Sequence, residues 1–204
     1  MTRPTHRSAG LTLVELLVAL VIVALLAALG WRATDAMVQT LEVTGRHHRA
    51  LQAWQTVVAQ WRIDLDAAIW HQGETDALSW RVTPEGVQWI RRAAAPAAGW
   101  QVVAWGLTDG GQRWSRWLSP PFIHLEEGRR LWEAAPSRLR EEGVRTLSIA
   151  QWHVAHWRDG SWLPAAGEAP GEAVQLVLRP AAGDLLQGDV VIDWVSPRVA
   201  GGKS

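Results

Sequence analysis

The amino-acid sequence predicts an α+β protein in which one long N-terminal α-helix precedes a domain of mainly antiparallel β-strands. An apolar run followed by an amphipathic stripe extends to about residue 70, and no proline interrupts residues 11–83. Beyond that point the pattern changes to short alternating segments separated by turn residues, which is typical of β-hairpins. These two observations together predict the fold class.

The first part of the helix is long enough to span a membrane. Residues 11–31 contain a single charged residue, Glu15, and at 1.5 Å per residue they extend about 31 Å, close to the thickness of a bilayer's hydrocarbon core. The preceding residues contain Arg3 and Arg7 and no acid. Because basic flanks stay in the cytoplasm, the sequence predicts a cytoplasmic leader at residues 1–10 and an exported C-terminal part.

Two ordinary interpretations of this segment are open. A cleaved secretory signal has a basic start, a short apolar core and small residues at the cleavage site, which Ala28 and Gly30 provide. A signal-anchor helix has the same features without the cleavage. Neither explains Glu15, because an acid inside a membrane helix costs free energy and is generally a functional residue with a partner.

The residues around Glu15 support a third interpretation. The segment GLTLVE at residues 10–15, followed by an unbroken apolar helix, resembles the class III signal of type IV pilins and type II secretion pseudopilins. The resemblance implies that prepilin peptidase cleaves after Gly10 and methylates the new amino group of Leu11, with Thr12, Leu13 and Glu15 completing the processing and assembly motif. Leu11 departs from the family, in which this residue is usually Phe.

In a fibre built from such helices, Glu15 of one subunit can meet the N-terminal amine of a neighbour. Unit charges about 4 Å apart attract by about 4 kcal/mol at an effective dielectric constant near 20. This attraction exists only when the partner arrives, so it would favour transfer from the membrane into the fibre. The alternative is an acid near a helix end that reaches the interface and has no partner.

The helix is expected to continue as an amphipathic segment at residues 32–72. One stripe recurs in steps of three and four, and its members are Met37, Leu41, Thr44, His48, Leu51, Trp54, Val58, Trp61, Leu65 and Ile69. We expect this face to pack against the downstream sheet, although a coiled-coil seam has the same period. Residues 71–73, which end in Gly73, are the expected C-terminal stop.

Residues 73–198 are predicted to form the β-rich domain, followed by a flexible tail at residues 199–204. Three hairpins are expected at the turn segments TPEG, DGG and RDG, at residues 83–86, 109–111 and 158–160. These turns separate alternating segments and contain the Gly, Pro and Asp residues that turns require.

Two further segments follow from the same patterns. A final antiparallel pair is expected from residues 173–178 and 189–195. Residues 122–140 are expected to be irregular, with a short helix before Pro136 as an option, since proline interrupts a helix interior.

The order of these elements extends the resemblance. A long helix, two hairpins, the segment GVRTLSIAQWHVAHWRDGSWLP at residues 143–164 and a terminal strand pair are similar to the minor pseudopilin J of type II secretion. The resemblance implies a single-pass protein of the bacterial inner membrane, with its C-terminal domain in the periplasm at the tip of a pseudopilus. The implied partners are prepilin peptidase, the I- and K-type minor pseudopilins and the major pseudopilin.

Two other functions remain open from the sequence. A minor pilin of a type IV pilus or a DNA-uptake machine has the same kind of N-terminus. A membrane-anchored periplasmic binding domain would require a deep apolar pocket with converging polar groups.

The composition argues against several further classes. Because 20 basic and 20 acidic side chains give zero formal charge, the chain has no overall field that attracts nucleic acid. The absence of cysteine excludes disulfides, thiolate nucleophiles and Cys-ligated metals.

His153 and His156 are expected on opposite faces of a strand, which disfavours a shared metal. Asp64 and Asp66 lie about 200° apart around a helix and are expected to be solvated or paired charges. The sequence predicts no enzyme activity, no cofactor and no metal site.

The chain contains 15 tryptophans and no tyrosine. Most tryptophans in the predicted strands are expected to fill the core. Some would instead be exposed as partner contacts, since Trp and Arg are typical of interface hot spots. Trp114, Arg116 and Trp117 form the candidate docking surface.

Overall fold

The computed structural model describes most of the 204-residue chain, namely residues 13–69, 78, 80–95, 99–165, 172–184 and 186–197. These residues divide into two compact units, with the boundary between Arg49 and Ala50. The leader at 1–10, the helix stop expected at 71–73 and the tail at 199–204 lie outside the described residues.

Helix α1 spans Leu13–Asp66, which confirms one long N-terminal helix. In the first unit its described side chains from Leu13 to Thr44 are all exposed, although most of those up to Trp31 are apolar. In the second unit one face becomes buried, and this face consists of Trp54, Val57, Trp61, Asp64 and Leu65. The predicted stripe is therefore buried within the chain only from Trp54 onward.

Helix α1 ends at Asp66 and does not continue to residue 72 as expected. The reason is that the backbone joins the sheet directly after the helix. The Ile69 N–H donates to the Ile90 carbonyl at 3.0 Å, and the Arg92 N–H donates to the Ala67 carbonyl at 2.8 Å. These bonds replace the next helical turn.

The sheet confirms the predicted α+β class and the predicted hairpins. Its strands are β1 Trp80–Val82, β2 Gly86–Arg92, β3 Trp100–Thr108, β4 Arg113–Leu118, β5 Val144–Arg158, β6 Ser161–Pro164, β7 Ala173–Pro180 and β8 Val190–Val195. Neighbouring strands are antiparallel in the order β1-β2-β3-β4-β5-β7-β8, and β6 pairs with β5. The long strand β5 pairs with β4 through residues 144–148 and with β7 through residues 149–157, and its register against β7 shifts between Ile149 and Gln151.

The turn residues explain why the hairpins form where the sequence predicts them. Asp159 and Gly160 connect β5 to β6 with φ angles of 50° and 81°. A two-residue turn with both φ angles positive matches the twist of the flanking strands, and Asp-Gly is one of the few pairs that adopt it without strain. The register of this hairpin is therefore determined locally.

The inner face of the sheet packs against the second half of α1. Trp61 lies edge-on to two tryptophans of the sheet, with ring centroids 5.2 Å from Trp89 and 5.8 Å from Trp105. Edge-to-face aromatic pairs contribute about 0.5–1.5 kcal/mol each beyond the burial of their area. Tryptophan therefore supplies much of the volume that joins the helix to the sheet.

A buried carboxylate joins the last turn of α1 to three strands. Asp64 has no exposed surface. Its carboxylate accepts hydrogen bonds from Arg91, from the Arg116 guanidinium at 2.7 and 2.8 Å, from Trp105 Nε1 at 2.9 Å and from Gln60 at 3.1 Å. Because every donor but Gln60 lies on β2, β3 or β4, this one side chain determines how the helix end lies on the sheet.

Helix α2 spans Leu125–Glu142, so the expectation of an irregular segment at 122–140 is wrong. Pro136 lies inside the helix. Proline has no N–H to donate to the carbonyl four residues earlier, which belongs to Trp132. The buried Gln88 side chain of β2 donates to that carbonyl at 3.0 Å. The hydrogen bond that Pro136 removes is thus replaced by a residue 44 positions away along the chain.

Helix α2 covers the outer face of the sheet over its first strands. A second buried cluster joins Trp132, Ala135 and Leu139 of α2 to residues of β2, β3 and β4, namely Ile90, Val102, Ala104 and Trp117. The sheet is consequently covered on both faces in this region, by α1 inside and by α2 outside.

Replacement of Asp64 tests the buried ion cluster. Asp64→Asn leaves the buried Arg91 and the partly exposed Arg116 guanidinium groups without this counter-charge, so we expect it to lower the free energy of unfolding by about 3–5 kcal/mol. Asp66→Asn is a matched control two residues away. Asp66 is exposed and accepts a hydrogen bond from the Trp194 indole at 2.7 Å, so we expect a loss of about 1 kcal/mol. Urea unfolding of the full chain in detergent, followed by tryptophan fluorescence, measures both. Equal losses would show that Asp64 has no special role.

The contact between α2 and the loop before it gives a second stability test. A Cβ on Gly128 would lie 2.4 Å from the Phe122 ring, which is 2% exposed and cannot move away easily. We expect Gly128→Ala to destabilise the domain by about 1–2 kcal/mol despite the higher helix propensity of alanine. Gly45→Ala is the control, because open space surrounds Gly45, and it should not lower the unfolding midpoint. Stabilisation by Gly128→Ala would contradict the packing described.

Candidate functional site

The predicted processing and assembly motif lies at the start of the chain. Gly10, Leu11 and Thr12 lie outside the described residues, so cleavage and methylation at this site stay predictions. Leu13 begins helix α1 and is 79% exposed. Glu15 lies in the first turn of that helix, where a negative charge interacts favourably with the helix dipole.

The helix that follows has the properties of a membrane segment. Among the described residues, α1 is the one helix that is long and apolar enough to cross a bilayer, and the apolar window has no buried surface. Water does not stabilise a helix whose side chains are apolar on every face. The segment therefore requires lipid or other apolar helices around it.

The docking surface predicted at Trp114, Arg116 and Trp117 is wrong. Trp114 is fully buried and Trp117 is 6% exposed. Successive residues of β4 point to opposite faces of the sheet, so Trp114 packs on the inner face beside Trp105 and Trp152, whereas Trp117 belongs to the cluster under α2. Both faces of β4 are covered, and neither tryptophan is available to a partner.

Arg116 is also part of the interior. It lies on the same face as Trp114 and donates two hydrogen bonds to Asp64, with a side chain that is 18% exposed. Asp64 was expected to be either a solvated or a paired charge, and the structure shows that it is paired. Sequence reasoning did not identify the partners, because Arg91 and Arg116 are 27 and 52 residues away from Asp64.

Other tryptophans of the second unit are partly accessible. Trp100 is 40% exposed and packs edge-on against Phe122. Trp162 is 36% exposed and packs edge-on against Trp157. These residues lie at the start of β3 and in the short strand β6. Trp100 is the first residue of β3, and Trp162 lies two residues after the Asp159-Gly160 turn, so closeness to a chain turn is the signal that could have identified them.

Some charged groups of the described surface form ordinary exposed ion pairs. Arg81 bonds to Glu133 and lowers the pKa of that carboxyl, and Arg179 bonds to Asp189 and lowers the pKa of that carboxyl in the same way. Within the described ranges, no three His, Asp or Glu side chains form a group that could hold a metal. His153 is exposed whereas His156 is buried, as expected for opposite faces of β5.

A groove of about 270 Å³ lies between the β1–β3 end of the sheet and the second half of α2. Its walls include Leu107, Pro136 and Leu139, with Arg81 and Arg140 also lining it. Specific small-molecule sites usually have volumes of about 300–1,000 Å³ with converging polar groups. The Arg81 guanidinium is already bonded to Glu133, so this groove does not have the character of the pocket that a binding domain requires.

Comparison with known protein families gives a match at the N-terminus of the chain. A model described as the prokaryotic N-terminal methylation motif matches residues 5–31, a range that contains Gly10, Leu11 and Glu15. No curated protein matches the chain. Proteins with this motif are generally substrates of prepilin processing and not enzymes, and they assemble with pilin partners. The motif, the apolar helix and the antiparallel sheet therefore indicate a type IV pilin-like or pseudopilin protein.

Proposed function

We propose that this chain is a minor pseudopilin of a type II secretion system, which forms part of the tip or initiation complex of the periplasmic pseudopilus. The observation that carries the proposal is the matched motif at residues 5–31 directly before a helix whose apolar side chains are exposed. Such a helix needs the membrane before assembly and the apolar interior of a fibre after it. The domain beyond residue 50 then acts outside the membrane.

The order of the β elements supports a J-type component. In the described structure, β5 and β6 form a hairpin around Asp159 and Gly160, inside the segment at residues 143–164 on which the resemblance to the J-type family rests. Trp162 of this hairpin packs edge-on against Trp157 with ring centroids 5.3 Å apart. The partners we propose are accordingly the I- and K-type minor pseudopilins and the major pseudopilin.

Maturation and location follow from the same proposal. Prepilin peptidase would cleave between Gly10 and Leu11 and methylate Leu11, and Thr12, Leu13 and Glu15 would complete the assembly and processing motif. The mature protein would cross the inner membrane once, at about residues 11–31, and hold its C-terminal domain in the periplasm. The proposed function requires no bound cofactor and no nucleic acid.

A minor pilin of a type IV pilus or DNA-uptake machine is the second candidate, since the N-terminal motif is common to both. Partner choice separates the two. The full chain, purified in detergent, should capture I-type and K-type pseudopilins encoded beside it and should not capture minor pilins of a retractable pilus. The reverse preference would assign the chain to the second candidate.

Glu15 provides a test of assembly. We expect Glu15→Ala to be processed normally, because the cleavage site itself is intact, and to be lost from sheared or cross-linked pseudopili. Glu15→Asp is the matched control, since it retains the charge that pairs with a neighbouring amine. Mass spectrometry of the N-terminus reports processing, and immunoblotting of pseudopilus fractions reports assembly. Normal incorporation of Glu15→Ala would refute the role of Glu15.

Membrane topology is testable because the chain contains no cysteine. A single Gln39→Cys variant, at an exposed position of α1, should react with a membrane-impermeant maleimide added to intact spheroplasts. Ala24→Cys, inside the apolar segment, should react only after detergent is added, since a thiol in the hydrocarbon core is not reached. Labelling of Gln39→Cys only after lysis would contradict a periplasmic domain.

A further inference from the structure

Strand β8 forms an open edge of the sheet. Six residues of β8 pair with six residues of β7, from Val190 opposite Leu178 to Val195 opposite Ala173. Strand β8 is the last strand in the sheet order. Nothing in the described part of the chain pairs with its other side. Open edges of this kind are templates for the addition of another strand.

The backbone groups on this edge can be identified from the register. The Ser196 N–H donates to the Glu172 carbonyl at 2.8 Å, so this pair exchanges hydrogen bonds across β7 and β8. In an antiparallel ladder such pairs alternate with pairs whose N–H and C=O groups point away. The N–H and C=O groups of Val191, Asp193 and Val195 therefore point to the open edge.

The side chains along the edge are equally accessible. Val191 is 53% exposed and Val195 is 57% exposed. Natural edge strands are usually protected by proline, lysine or a bulge. Strand β8 contains no proline and no lysine, and its one charged residue is Asp193. The edge thus presents two apolar side chains with a single negative charge between them.

That charge disfavours a second copy of this chain on the edge. The antiparallel pairing that overlaps the two strands most fully would place Asp193 directly opposite Asp193 of the other copy. Like charges that face each other across strands are destabilising. Registers shifted by two residues avoid this contact but place one of the valines opposite a residue that lies outside strand β8. A different polypeptide with a basic residue avoids both costs.

Asp193 also retains an oxygen for such a partner. Gln175 Nε2 of β7 donates to its Oδ1 at 2.9 Å, and no described residue donates to its Oδ2. A Lys or Arg on an added strand would face this carboxylate, and two apolar residues at its second neighbours would face the two valines.

We propose that the β8 edge is a strand-addition site for an extended segment of another protein that carries Lys or Arg between two apolar residues. The backbone bonds of Val191, Asp193 and Val195 supply the attraction in this mode, and the side chains supply the specificity. The inference concerns the soluble domain alone, so it does not depend on the proposed place of this chain in a secretion system.

Paired charge reversal tests the proposal. The probes are fluorescein-labelled peptides Thr-Val-Thr-Lys-Thr-Val-Thr and Thr-Val-Thr-Glu-Thr-Val-Thr, titrated with the full chain in detergent and followed by anisotropy. We expect the wild-type chain to prefer the lysine peptide about fivefold, because opposite charges replace like charges across the strands. Asp193→Lys should reverse the preference. Glu85→Lys makes the same charge change at an exposed turn far along the sheet and should leave the wild-type preference unchanged.

A second measurement locates the peptide. Since the chain contains no cysteine, Val191→Cys should form a disulfide with a lysine peptide in which one Val is replaced by Cys, whereas Gln101→Cys on β3 should not. Failure of both peptides to bind, equal affinity for the two, or cross-linking only at Gln101→Cys would overturn the proposal. So would tighter peptide binding after removal of residues 198–204, which would assign the edge to the chain's own C-terminal segment. Dimerisation of the wild-type chain blocked by Asp193→Lys would assign it to a second copy.

Discussion

The buried carboxylate of Asp64 is the interaction on which the domain beyond residue 50 depends. It lies at the C-terminal end of α1, where the helix dipole disfavours a negative charge, and it has no exposed surface. Two arginines, a glutamine and the Trp105 indole compensate it, and the Trp89 indole bonds the Asp64 carbonyl at 3.1 Å. The helix end is thus held by directional bonds as well as by apolar contact. A hydrophobic contact alone would allow the helix to slide or rotate on the sheet, whereas these bonds do not.

Several other features follow from this attachment. With Asp64 held, Trp61 lies between Trp89 and Trp105, and the chain turns after Asp66 to pair with β2. The inner face of the sheet is consequently occupied by the second half of a helix whose first half is the apolar segment. The outer face is covered by α2 over the first strands, and β8 is an open edge because it is the last strand in the sheet order. A domain anchored on one face and open at one edge suits a protein that assembles with other subunits.

The errors of sequence interpretation have specific physical causes. Pro136 predicts the end of a helix, yet α2 continues through it because Gln88 bonds the carbonyl that proline leaves free. Trp114 and Trp117 occur beside arginines, as interface residues often do, yet each lies under a different helix. Asp64 was expected to be a solvated or paired charge, but its two arginine partners come from strands far along the chain. In each case the deciding atom belongs to a residue that no local window contains.

The sequence by itself determined the parts of this protein that depend on short segments. A membrane-length apolar run, a motif of a few residues around Glu15 and turns such as Asp159-Gly160 act through local hydration or local backbone angles, so their patterns were sufficient. Only the tertiary structure decided which sheet faces are covered, which tryptophans are buried, how Asp64 is neutralised and which strand remains at the edge. Those outcomes depend on which distant residues meet, because burial and pairing are properties of two surfaces and not of one segment.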